Sequence, residues 1–119
     1  WFEGARLNYA EHVFRHDFGD RTAIVQRNEL RAPSEMSWRE LRRQVGALAA
    51  SLRRMGVKPG DRVCSYMPNV PETVVAMLAV TSLGAIWSSC SPDMGSGAVT
   101  DRFRQIEPKL LFAVDGYRY

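Results

Sequence analysis

The stretch Arg62-Val63-Cys64-Ser65-Tyr66-Met67-Pro68-Asn69-Val70-Pro71-Glu72, continued by Thr73-Val74-Val75-Ala76-Met77-Leu78-Ala79-Val80-Thr81-Ser82-Leu83-Gly84 and by Ala85-Ile86-Trp87-Ser88-Ser89-Cys90, decides the fold. Its first six residues read as a short buried strand that Pro68 ends. Asn69 is the expected cap of the helix that follows, with Pro71 in its first turn and Glu72 behind it. From Val74 to Val80 that helix is apolar nearly all round, so it must be covered on most sides. Gly84 stops it, and Ala85 to Cys90 reads as the next strand.

Working outward, the chain continues the same alternation. A loop, Ser91 to Gly95, leads to a helix expected to be capped by Ser96, with Val99, Phe103 and Ile106 as its buried stripe and Pro108 as its end. Leu110 to Val114 reads as a third strand. Strand, helix, strand, helix, strand with short turns requires parallel strands and right-handed crossovers. The expected fold class is therefore α/β, an open parallel three-stranded βαβαβ layer.

Upstream, Trp38 to Met55 carries apolar residues at 38, 41, 45, 48, 49, 52 and 55, the spacing of one helical stripe. Ser37 with Glu40 forms a capping box, Met36 and Leu41 take the staple positions, and Gly56 stands where a left-handed terminator is wanted. Gly46 inside the helix is expected to mark a close helix contact. The first 36 residues are less regular, a short helix and a hairpin. Asn8 is the expected cap of a helix through His16, Thr22 to Gln26 reads as a strand, and Asn28-Glu29 as a turn.

Composition bounds the function. The 119 residues are 45% hydrophobic and 24% charged, a globular composition of one domain's length, which excludes a disordered or collagen-like chain. Two cysteines are too few for a disulfide framework, so a reducing cytosol is the simpler location. The apolar run Val70 to Trp87 is interrupted by Pro71, Glu72, Thr73 and Gly84, and reads as neither membrane span nor signal. The net charge is +3, with 14 arginines among 16 basic residues. Arg39, Arg42, Arg43, Arg53 and Arg54 sit on the polar side of the Trp38 helix. A solvated helix face accounts for them better than a nucleic-acid surface does.

Few residue patterns carry chemistry on their own. His12 and His16 share a helix spacing, but Glu11 precedes the pair instead of following its first member, and no third metal ligand is near. Ser88, Ser89, Cys90 and Ser91 cluster at the carboxyl end of a strand, where open sheets bind ligands. A nucleophile there lacks a base, because no histidine follows His16. Met94-Gly95-Ser96-Gly97 precedes a helix amino terminus and reads as a turn and cap or as an anion-binding loop. Arg118, just past the third strand, reads as an exposed terminal arginine or as a phosphate ligand.

Taken as a set, longer patterns are informative. Trp1-Phe2-x-Gly-x-x-Leu7-Asn8, Gly56-Val57-x-Pro-Gly-Asp-Arg-Val63 and Pro68-Asn69-x-Pro-Glu72 resemble the amino-terminal region of acyl-CoA synthetases, members of the adenylate-forming superfamily. The stretch Ser82 to Asp93, with Asp101-Arg-Phe-x-Gln-Ile-Glu-Pro-Lys109 and Phe112 to Tyr119, resembles the acetoacetyl-CoA synthetases in particular. Glu3 and His12 depart from the proline and asparagine of that pattern.

The resemblance implies that residues 1–119 are part of a larger amino-terminal, AMP-binding domain. It implies a ligase acting in two steps, in which acetoacetate and ATP give an acyl-adenylate and pyrophosphate, and the CoA thiol then gives acetoacetyl-CoA and AMP. ATP, CoA and Mg²⁺ serve the whole enzyme, and none is expected to be bound by this piece alone. The phosphate loop, the Thr-Glu pair, the ribose-binding aspartate and the catalytic lysine of the family are absent, so no catalytic residue is expected here and the piece is expected to be inactive. Its partners are the remainder of the same enzyme and, through it, the small substrates, with no nucleic acid or membrane.

Residue by residue, the resemblance implies a share of a CoA site. Ser91, Pro92 and Asp93 occupy the loop that lies against the CoA nucleotide in related acetyl-CoA synthetases, and Arg118 matches an arginine contacting its phosphate. Ser-Pro-Asp replaces an aromatic residue and glycines there, and Asp93 is unfavourable beside a phosphate. Two other readings remain open on the residues: a free-standing α/β module that binds CoA or a nucleotide, and a structural subdomain whose apolar surfaces await the rest of a parent.

Overall fold

The computed structural model describes residues 2–29 and 32–116. Helix α1 (Tyr9–Val13) is followed by strands β1 (Thr22–Gln26) and β2 (Ser34–Ser37), then by helix α2 (Trp38–Arg54). The remainder alternates: β3 (Arg62–Tyr66), α3 (Pro71–Ser82), β4 (Ile86–Cys90), α4 (Ser96–Ile106) and β5 (Leu110–Ala113). β1 and β2 pair antiparallel, with an irregularity between Thr22 and Ile24. β4, β3 and β5 form a parallel sheet in that order. The α/β class and the three-stranded parallel layer are as the sequence implies.

β3 is the middle strand because the chain steps to one side for β4 and then returns across it for β5. Its Val63, Cys64 and Ser65 are fully buried. Register pairs Val63 with Trp87 and Leu110, Cys64 with Ser88 and Leu111, and Ser65 with Ser89 and Phe112. Side chains alternate along a strand, so these rows fall on opposite faces. The face of Val63 carries the main core, where Leu52 of α2 and Val75, Leu78, Ala79 and Val80 of α3 are buried, with Trp87, Leu110 and Phe112 packed at its margin. Two crossovers that step in opposite directions with the same hand leave on opposite faces. α4 accordingly lies on the other face, where the guanidinium of Arg62 donates to the carbonyls of Ile106 and Glu107 at its end, while Ile86 and Leu111 of that face stay exposed.

α2 forms where its sequence places it. The Ser37 hydroxyl accepts from the Glu40 N–H at 3.1 Å, Leu41, Val45, Ala49 and Leu52 face the core, and Gly56 follows at a φ of +86°. The reciprocal half of the capping box is not made. Instead, the Glu40 carboxylate accepts from Arg43 at 2.6 and 2.8 Å and from Gln44 at 2.8 Å. Those bonds, Arg43's first, hold it down to about 2. Gly46 marks no close contact: a Cβ there meets nothing within 4 Å.

Three helix ends differ from expectation. α1 stops at Val13, well before His16, and its cap Asn8 also donates to the Thr81 carbonyl of α3 at 2.8 Å. α3 has Val70, not Asn69, as its N-cap, because Pro71, with its φ already helical, takes the first helical position; no side chain caps it, and the Val70 carbonyl accepts from the Thr73 N–H at 3.0 Å. At α4 the cap is Gly95, whose carbonyl accepts from Val99 at 3.2 Å, so Ser96 is the first residue of the helix. Among the described residues, no helix is long and apolar enough to cross a membrane.

Candidate functional site

The carboxyl ends of β3, β4 and β5 share one edge of the sheet, because parallel strands all point the same way. Ligands of open α/β sheets bind at this edge, where adjacent strands send their connections to opposite faces. β3 leads into α3 on the face of Val63, and β4 leads into α4 on the face of Arg62, Cys64 and Tyr66. The crevice therefore lies between Tyr66–Pro68 and Cys90–Asp93.

One wall of that crevice is a tight turn. The Met94 N–H donates to the Ser91 carbonyl at 3.1 Å. The exposed Ser91 hydroxyl donates to the Asp93 carboxylate at 3.0 Å and accepts from the Asp93 N–H at 3.4 Å. Tyr66, at the end of β3, reaches this turn from across the crevice, its hydroxyl 3.2 Å from the Pro92 carbonyl and 2.9 Å from that of Met94. No sequence pattern announced that contact between residues 26 and 28 positions apart. Behind the turn, no side chain caps the amino terminus of α4.

The cysteines of this edge are structural. Cys64 and Cys90 are buried free thiols, and burial, with a smaller effect of Cys90, pushes the Cys64 thiol up. A neutral, covered thiol is a poor nucleophile. Ser88 is half-buried and Ser89 exposed, with no histidine beside them. His12 and His16 are exposed at the far amino-terminal end, and the His16 ring lies 6.0 Å from that of Phe18. Among the described residues, no group of three or more His, Cys, Asp or Glu is placed to hold a metal ion.

A family model described as AMP-binding enzyme matches residues 11–118. The chain belongs to the AMP-binding enzyme family. It is similar over its whole length to the acetoacetyl-CoA synthetase of Rattus norvegicus, at 52% identity, and to the acetoacetyl-coenzyme A synthetase of Rhizobium meliloti (strain 1021), at 50%. It spans about 18% of the length of each of these curated relatives. The solved structure of acetoacetyl-CoA synthetase from Streptomyces lividans matches it with a TM-score of 0.90 at 51% identity, over 100% of this chain and 19% of that one. An acyl-CoA synthetase from Brucella canis, 24% identical, shares the fold with a TM-score of 0.83 over 90% of this chain and 20% of its own.

Ser91, Pro92 and Asp93 all lie on the carboxyl edge, directly after β4. Arg118 lies outside the described residues. β5 ends at Ala113 on the same edge, one strand beyond β3 from the Ser91 turn. A cleft of about 630 Å³ lies elsewhere, lined by Arg62, Ile86 and Ser88 and by Gln105, Ile106 and Glu107 at the end of α4. It faces the amino-terminal half of the strands, and Arg62 is already engaged with the helix end.

Proposed function

We propose that the protein carrying this chain is an AMP-forming acid–thiol ligase, converting acetoacetate, ATP and CoA to acetoacetyl-CoA, AMP and pyrophosphate. The supporting observation is the likeness to acetoacetyl-CoA synthetases at about half identity over the whole chain, together with the 0.90 TM-score to the Streptomyces lividans structure. In this reading the chain is an early part of the catalytic domain and is inactive alone. Its partner is the remainder of the same cytoplasmic enzyme.

The share of the chemistry given to these residues is CoA binding. Ser91 and Pro92 form the surface against the nucleotide end of CoA, and Arg118 pairs with a phosphate as a guanidinium can, through two N–H donors. The Asp93 carboxylate already accepts a hydrogen bond from the Ser91 hydroxyl. It suits the amino and hydroxyl donors of a nucleoside and repels a phosphate. Mg²⁺, if bound with the ATP polyphosphate, would offset its charge. No described residues form a cluster fit to ligate it, and no step on this chain is assigned to it.

Formation of the acyl-adenylate needs no CoA, which provides the test. The full-length protein should exchange labelled pyrophosphate into ATP when acetoacetate is present. Exchange with acetate or butyrate alone would reassign the acid, and no exchange with any carboxylate would remove the ligase reading.

A further inference from the structure

The internal hydrogen bonds of the Ser91–Met94 turn fix its shape, but they do not fix where it stands relative to the sheet. Chain continuity joins it to β4 at Cys90, and Tyr66, at the end of the buried middle strand, ties it across the crevice: the Pro92 and Met94 carbonyls both accept from its hydroxyl. One O–H shared between two carbonyls that are two residues apart holds the middle and the end of the turn together. We infer that Tyr66 is a positioning residue for CoA, setting the Ser91–Met94 turn against the carboxyl edge. The inference rests on the proposed CoA role of that turn.

The chemistry follows from what the phenol can and cannot do. Tyr66 is half-buried on the same face as Cys90, its register partner, so its hydroxyl acts on the backbone of the turn and not on substrate. A phenylalanine keeps the ring and its packing while removing the donor. The turn keeps its internal bonds but loses its tie to β3, so a ligand must bind to a wall that is no longer held in place. With the turn assigned to CoA, adenylate formation is expected to proceed without it.

The test uses the full-length protein. In Tyr66→Phe, the KM for CoA should rise about two- to tenfold, the span of one net hydrogen bond. Pyrophosphate exchange without CoA, kcat at saturating CoA and the melting midpoint should stay near wild type. As a companion, Ser91→Asp places a second carboxylate on the turn and should raise the same KM by repelling the CoA phosphates. A rise for Ser91→Asp with none for Tyr66→Phe overturns the positioning role and leaves the turn as a CoA contact. No rise for either overturns both. A fall in exchange and in melting midpoint for Tyr66→Phe makes the residue a general structural element and overturns the inference.

Discussion

Lys109, at the entrance to β5, places its ammonium 2.9 Å from the carboxylate of Asp61, 48 residues earlier in the chain. The same carboxylate accepts the Lys58 N–H at 2.7 Å, and the ammonium also donates to the Gly56 carbonyl. Around this clasp, the Ile86 N–H donates to the Asp61 carbonyl and the Lys109 N–H to that of Arg62, each at 2.8 Å. The turn after α2 is thereby joined to the starts of all three parallel strands.

The clasp predicts an acid response. The Lys109 bond first, and the Lys58 N–H second, hold the Asp61 carboxyl below the usual carboxylate range. A carboxyl lowered by folding stabilises fully above its unfolded value of about 4, and that contribution disappears as pH falls through the lower folded value. Asp61→Asn should therefore melt below wild type near pH 7, with the gap closing below about pH 4. A gap that stays constant down to about pH 2.5 would show that the charge contributes nothing.

Two glycines predict opposite signs. Gly84 has a φ of +71°, and a Cβ there would stand 3.3 Å from Cβ of Pro59. Gly84→Ala should cost about 1–2 kcal/mol from backbone strain before any shift of Pro59. Gly46 lies exposed inside α2 with open space around it, so Gly46→Ala should stabilise by up to about 1 kcal/mol. Melting midpoints of the pair check both, and matching signs would contradict the account.

Ser65 is fully buried, and its hydroxyl has no hydrogen-bond partner among the described residues. A buried donor left unpaired costs about 1–3 kcal/mol, so its removal should not harm the core. Ser65→Ala is expected to hold or raise the melting midpoint. A clear drop would mean that the hydroxyl is paired in the working protein.

Much of this fold was legible because its signals are local. The stripe of α2, its Ser37 cap and Gly56, the all-round apolar run of α3, and Pro68 and Gly84 as breakers each act within a few residues. The caps of α3 and α4 lie one residue from where the sequence puts them, because Asn69 and Ser96 are good capping side chains standing beside the residues that take the cap position, Val70 before a proline and Gly95. Gly46 suggests a contact in the sequence, which shows the missing side chain but not the empty space beside it. The carboxyl edge and its Ser91 turn followed from strand order, whereas Tyr66 and Lys109 act across gaps that no periodicity spans.

The nucleotide product tests the central claim most directly. Full-length protein supplied with acetoacetate, ATP and CoA should form AMP in step with acetoacetyl-CoA, one for one, as resolved by chromatography and mass. ADP in place of AMP, or AMP without the acyl thioester, would contradict an AMP-forming acetoacetate–CoA ligase.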